Sequence, residues 1–478
     1  MKNTSKTEKV KISGKWTIPN TKFIDFSGDL YLEPTKNVIN LITYTDKPFG
    51  LYKEFDVIIG KTIYGYEITL YQCFVARENT HIYSNGRMYN TTFTSNYCLY
   101  GVNFKSDNEV MFHEVVARFT YLDEWAFFES FDFGQNEGFS YSFNYKVPNE
   151  VIYKIDEQTT LILYADLKAP YSSNVDKEID ISQKVYVSIK HTNQQPLKVS
   201  LTIIDTLMDF IRFCTFNEIN YIEIFGYNPN YYQMIGKTGE DKFYDTINIY
   251  KIGQVNEDYE SDDPRDYLLN LKNIDNNFSL FFSNWFLKKE LLKPVISLFL
   301  NATNPHLPIE LQFLSLVQAL ESYHRRIRKK YLIDKSEHDI RIESILDNVP
   351  EEHREWLDGK LKYSNEPTLI ERIDDLSHEG PDYWIFFNGK REREKFLKDV
   401  RNTRNYFVHY DKSLKSKALQ GEDLVLACDC LRNIIEYNLL KEIGLSYETI
   451  RPKIVERTHR LRRLYEFKDA INKMEKLP

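Results

Sequence analysis

The stretch 309-IELQFLSLVQALESYHRRIRKKYL-332 decides how the second half of the chain folds. Phe313, Leu316, Val317, Leu320, Tyr323, Ile327 and Tyr331 recur at intervals of three and four, the period of one apolar face on a long helix. Further helical patterns follow at about 337–347, 351–363, 367–377, 390–410, 419–443 and 447–473. Thr368 and Ser446 read as N-caps or first-turn residues, and Gly444 as a helix stop. Everything after the acidic, Pro-terminated segment 256-NEDYESDDP-264 is therefore expected to be all-α, with that segment as the linker.

Before the linker the period changes. The stretches 56-DVIIGKTIYGYEITLYQCFVA-76, 114-EVVARFTYLDEWAFF-128, 159-TTLILYADL-167 and 184-KVYVSIKHT-192 are rich in β-branched and aromatic residues. They alternate in part and are punctuated by Gly, Asn, Asp and Pro, as strands are. One helix-like interruption, 201-LTIIDTLMDFIRFCTF-216, precedes a further strand at 220-NYIEIFGY-227. The expected fold class is multidomain α+β: a β-rich domain over 1–258, then an all-helical bundle over 265–478.

At 478 residues, with 42% hydrophobic and 15% aromatic content, the chain can build more than one sizeable core. The net charge of −8 argues against a protein coated for nucleic acid, but the acidic excess lies in the first 300 residues. The remainder is close to neutral and carries basic clusters. Five cysteines make no disulfide framework. Cys428 and Cys430 lie in an apolar helical run and lack the further ligands of a zinc site, so they read as core residues. No metal and no cofactor is expected. The N-terminus has no apolar signal-peptide region, and the apolar stretch 278–300 is broken by Lys288, Lys289, Glu290 and Lys293. No membrane span is expected, and a cytoplasmic location is.

The residues that could carry chemistry are in 401-RNTRNYFVHYDKS-413. Arg401, Asn405 and His409 are spaced by four and share a helix face, each displaced by about 40°. Arg404, five residues before His409, lies about 140° away on an unbroken helix. Those two meet only if the helix kinks or ends between them, or if a second chain brings its own pair. An imidazole can move a proton near neutral pH, and a guanidinium can hold a phosphate through two parallel hydrogen bonds. The same residues also fit an amphipathic helix with Phe396, Val400, Phe407 and Val408 facing the core and the polar groups in solvent. The other Arg…His pair, Arg372…His378, has Asp374 and Asp375 between its members and a Gly-Pro exit after it, and reads as a helix C-terminus.

In its all-helical setting, Arg404-Asn405-Tyr406-Phe407-Val408-His409 resembles the R-x4–6-H motif of the HEPN superfamily. The runs 14-GKWTIPNTKFIDFSGDLYLEP-34 and 58-IIGKTIYGYEITLYQCF-74 resemble the N-terminal domain of ApeA-type proteins. The helix containing 318-QALESYHRR-326 looks like the first core helix of the ApeA type of HEPN domain. The resemblance implies a metal-independent endoribonuclease of bacterial anti-phage defence, in which a 2′-hydroxyl attacks the adjacent phosphate. His409 would be the acid/base, Arg404 the phosphate holder and Asn405 the polar residue of the motif. It also implies a homodimer or higher homo-oligomer formed through the HEPN domains, with the two motifs facing.

Glu321 has two readings: an acidic member of the site from the facing helix, or an intrahelical ion pair with Arg325 four residues on. His324 reads as a surface residue. RNA, whether tRNA or another structured RNA, could be positioned by Arg401, by Arg325 and Lys329, and by Arg460 and Arg463, although charge runs on helices are mostly solvated faces. The acidic, aromatic N-terminal domain shows no phosphate loop and no metal cluster. Trp16, Pro19 and Gly28 carry its resemblance, or are simply core and turn residues. By its position it would sense a phage-derived trigger or restrain the helical domain. The alternative to the nuclease is a non-catalytic HEPN-like module for dimerisation or nucleotide binding, with a ligand-sensing N-terminal domain.

Overall fold

A computed structural model describes residues 10–452, save 85, 137–139, 174–177, 236–240, 275–276, 305, 329 and 379–389, together with 454 and 455. The chain divides into two compact units, Met1–Ser279 and Leu280–Pro478.

The first unit is built on a 12-stranded sheet. Its first strands, Val10–Thr17, Phe26–Glu33, Val38–Thr45 and Glu54–Thr62, pair antiparallel with their neighbours and alternate buried and exposed side chains, so one face is apolar. That face forms a core around Trp16, Leu30, Leu41, Phe49 and Phe93. Trp16 is the anchor. Its indole donates to the carbonyl of Gly28 (3.0 Å) and lies over Gly60, its cross-strand partner. A Cβ at Gly60 would stand 2.3 Å from the ring, so only glycine admits the tryptophan there.

Towards the other end of the sheet, the strands Met111–Phe119 and Glu178–Pro196 carry helix Leu197–Thr215, which buries Leu201, Ile204, Leu207, Phe210 and Ile211. The acidic segment expected as the linker is instead part of this unit. Glu257 accepts hydrogen bonds from buried Arg118 and from Lys184, and Tyr259 donates to Glu124 (3.1 Å). A carboxylate that completes a buried guanidinium's partners cannot be left to swing in solvent. The boundary therefore falls later, after Ser279.

The second unit is helical among its described residues. Its helices are Phe278–Ala302 (which starts at the boundary), Ile309–Tyr323, Lys335–Asp347, Glu351–Leu361, Leu369–His378, Lys390–His409 and Gly421–Glu442. Among the described residues no helix is long and apolar enough to cross a membrane. Thr368 and Glu371 cap each other's backbone N–H groups at the start of Leu369–His378, and Gly444 adopts the left-handed conformation (φ +101°) that ends the last of these helices. Phe313, Leu316, Val317, Leu320 and Tyr323 are buried as their spacing predicts. Cys428 and Cys430 are buried as well, and burial pushes the Cys428 thiol up to about 12.

Gly60→Ala is expected to lower the stability of the first unit by about 1–3 kcal/mol, the usual cost of overpacking a tight core. Urea denaturation followed by tryptophan fluorescence would measure it.

Candidate active site

Helix Lys390–His409 runs unbroken to the end of the motif. It buries Leu397, Val400, Asn402 and Thr403, while Phe407 packs edge-on against Phe313 of helix Ile309–Tyr323 at 6.1 Å between ring centroids. Val408, which the amphipathic reading turns to the core together with Phe396, Val400 and Phe407, is instead 47% exposed. The helix stops at His409: Tyr410 turns left-handed (φ +50°) while its N–H still donates to the Tyr406 carbonyl. Asp411 then caps the short 3-10 turn Lys412–Lys417 through the N–H of Ser413 (2.9 Å). Farther on, the N–H of Leu419 donates to Thr403 Oγ (2.8 Å) and ties the returning chain to the motif helix.

Within this frame Arg404 and Asn405 are half-buried and touch, Arg404 Nη1 donating to Asn405 Oδ1 at 3.3 Å. Arg401 and His409 are exposed on the shared face with Asn405. With the helix unbroken, Arg404 and His409 of one chain point about 140° apart. The hydrogen bonds of Ser413, and to a lesser degree the neighbouring His409, hold the Asp411 carboxyl below the usual range.

Glu321 pairs with Arg325 (3.3 Å), the i,i+4 ion pair that the spacing allows. Arg325 also reaches Glu366 (2.9 Å), which in turn accepts from buried Arg372 (2.8 Å). Arg325 is thus shared by two carboxylates. Lys329, Arg460 and Arg463 lie outside the described residues.

His324 is a correction: it is fully buried rather than on the surface. Helix Ile309–Tyr323 widens into a π-turn over His324–Arg328, and the change of pitch turns the imidazole inward and leaves Tyr331 exposed, beyond the helix. Arg372 Nη1 lies 3.1 Å from His324 Nδ1. A guanidinium can only donate, so Nδ1 is the acceptor and the neutral ring carries its proton on Nε2. That Nε2 stands 3.3 Å from Asp375, which also takes Lys330 at 2.5 Å. Burial, and next the charge of Arg372, hold the His324 pKa below its ordinary value. Arg393 of the motif helix lies 3.4 Å from Asp374. Helix Leu369–His378 thereby connects the first core helix to the motif helix. None of this polar cluster was legible from local spacing, because its partners come from separate helices. Among the described residues, no three His, Cys, Asp or Glu side chains converge as a metal site would require.

The family model described as ApeA N-terminal domain 1 matches residues 11–285, and that described as Apea-like HEPN matches residues 314–449. The chain belongs to the ApeA family. Its architecture is that of the family: the strand-rich domain comes first and the HEPN domain, which contains Arg404, Asn405 and His409, follows. A HEPN-containing protein of this type suggests anti-phage defence. No curated protein and no solved structure matches the chain.

Arg372→Ala is expected to cost the HEPN domain about 1–3 kcal/mol, because it leaves the buried His324 Nδ1 without its donor while Glu366 keeps Arg325. Thermal denaturation of the full chain at neutral pH checks this, with the transition of the first unit unchanged.

Proposed function

We propose that the chain is a metal-independent HEPN endoribonuclease that arrests growth of phage-infected cells, acting in the cytoplasm under control of its N-terminal domain. The observation that carries the reading is the placing of the motif: Arg401, Asn405 and His409 lie along one face at the open C-terminal end of an unbroken helix, inside the HEPN match. An exposed imidazole beside a cationic helix face suits an RNA phosphate far better than it suits a core.

The chemistry needs one group to move a proton and one to hold charge. His409 takes the proton of a ribose 2′-hydroxyl as O2′ bonds to phosphorus. The P–O5′ bond breaks, leaving a 2′,3′-cyclic phosphate, and the imidazolium returns the proton to the departing 5′ oxygen. The protons balance with a single histidine. Arg404 binds the non-bridging oxygens and stabilises the charge that builds on them in the transition state. Since Arg404 and His409 of one chain diverge, the working pair is Arg404 of one copy with the partner's His409, which makes a homodimer the active form. Asn405 accepts from Arg404 and so aims it. Arg401 lies on the His409 face, where it would extend the phosphate track. Arg325, Lys329, Arg460 and Arg463 are candidates for weaker backbone contacts with a structured RNA, and Glu321 for an acidic contribution once it leaves Arg325.

In EDTA, the triggered protein is expected to cut RNA to products with cyclic-phosphate ends. His409→Ala, checked for equal folding and assembly, is expected to cut at least 100-fold more slowly, the low end of what a general acid–base contributes (roughly 10²–10⁴). Intact RNA from a demonstrably triggered wild type would leave the HEPN domain as a dimerisation or nucleotide-binding scaffold.

A further inference from the structure

Where the strands Met111–Phe119 and Glu178–Pro196 run side by side, the two faces of the sheet differ. His191 meets Ser200 of helix Leu197–Thr215 at 2.9 Å. Alternate residues share a face, so Val187 and Ile189, with their partners Ala117 and Val115, lie on the helix-covered side. The opposite side holds a cleft of about 390 Å³, within the range of pockets that take small molecules (roughly 300–1,000 Å³). Val116, Ser188 and Ile162, in register across three strands, make its floor. Tyr164 and Tyr227 stand at its sides, and the ribbon Tyr232–Ile235/Asp241–Tyr244 adds Phe243 and Tyr244. Three of these rings are held in place by others. Tyr164 stacks on Tyr186 (5.8 Å between centroids), Tyr227 meets Phe225 edge-on (5.9 Å), and Tyr244 lies 4.8 Å from the His113 ring.

One half-buried carboxylate stands among the rings. Glu114 Oε1 accepts from the hydroxyl of buried Ser188 (2.6 Å) and lies 3.6 Å from Lys190. Among the described residues Glu114 Oε2 has no partner, so the cleft contains a fixed acceptor with a free oxygen. Burial, and next the charge of Glu114, raise the Tyr164 pKa, which keeps that hydroxyl protonated. Lys190, Lys242 and Glu150 are the exposed charged groups of the lining.

We propose that this cleft binds a guanine base, carried by a nucleoside or a nucleoside monophosphate. Ring side walls over an apolar floor suit a flat aromatic ligand. A carboxylate can only accept, so it selects the ligand edge that donates. Guanine sets two donors, N1–H and N2–H₂, side by side on one edge. Adenine and cytosine set a ring acceptor beside their amine, and uracil flanks its one N–H with two carbonyls, so each turns a lone pair towards Glu114. A cation caged by the rings is disfavoured, because Lys190 already stands beside that carboxylate. The charges of Glu114 and Glu150 offset those of Lys190 and Lys242, so a triphosphate meets no net attraction, whereas a single phosphate needs only one lysine. The cleft lies wholly in the strand-rich unit and uses none of the motif residues, so it does not rest on the nuclease reading.

The test is isothermal titration calorimetry of the full chain with guanosine, guanosine monophosphate (GMP), inosine monophosphate (IMP), AMP and UMP. GMP is expected to bind once per chain. IMP lacks only the N2 amine and is expected to bind roughly tenfold more weakly, the loss of one hydrogen bond to a charged acceptor, with AMP and UMP weaker still. Glu114→Gln, checked for equal folding by circular dichroism, is expected to lose the preference for GMP over AMP. Phe243→Ala, at an exposed position, is expected to weaken every base alike and keep the preference. No binding of any of these ligands at millimolar concentration, or equal affinity for GMP, IMP and AMP, overturns the proposal. So does a folded Glu114→Gln protein with the wild-type preference. The comparison of GMP with IMP needs no variant, and decides the matter should Glu114→Gln misfold. Guanosine as tight as GMP would assign the site to the nucleoside. GMP tighter than guanosine, with the difference lost in Lys190→Ala, would assign it to the monophosphate.

Discussion

An α-helix turns about 100° per residue, and the account of this protein depends on that constant. Residues four apart line up and residues five apart do not. Helix Lys390–His409 holds its pitch from end to end, so Asn405 falls in line with Arg401 and His409, while Arg404 is carried round to the side. A chain that needed its own arginine beside its own histidine would have to break the helix between 404 and 409. This one closes the helix just after the histidine instead, with Tyr410 in the left-handed conformation. On the nuclease reading proposed above, a single chain therefore presents two half-sites, and a second copy is the simplest way to complete either.

The motif helix is also held at a fixed height and rotation. Two anchors do this. Phe407 against Phe313 sets the motif helix on the first core helix, and Leu419 N–H to Thr403 Oγ stops the following segment from drifting away. Behind them, Arg372 joins Glu366 to the buried His324, and the carboxylates of Asp374 and Asp375 reach Arg393 and Lys330. The His324–Arg372 contact is buried and costs most when one partner is removed, whereas Lys330 and Asp375 meet nearer the surface. Together these contacts make the relation between three helices specific.

What could be read from the chain follows from how local each signal is. Helical period and caps are local, so the face Phe313–Leu316–Val317–Leu320–Tyr323, the Thr368 cap and the Gly444 stop were all legible. So was the change from strands to helices. Burial set by long-range partners was not. His324 is drawn inward by a π-turn and by residues some fifty positions away, and its sequence neighbours Arg325 and Arg326 look like a solvated run. The segment 256–264 has the composition of a linker, but Arg118 claims Glu257. Trp16 and Gly28, which carried the family resemblance, turn out to share a hydrogen bond, with Gly60 as the third member that no local pattern marks.

The composite nature of the site is the central claim, and mixing two inactive variants tests it most directly. Arg404→Ala and His409→Ala would each be prepared as assembled protein, then combined and allowed to exchange subunits before RNA cleavage is measured. If each site takes its arginine from one copy and its histidine from the other, every mixed dimer regains one intact site, and cleavage returns to a substantial fraction of the wild-type rate. If both groups must come from the same chain, mixed dimers, verified by mass, stay as inactive as their parents, and the account is wrong.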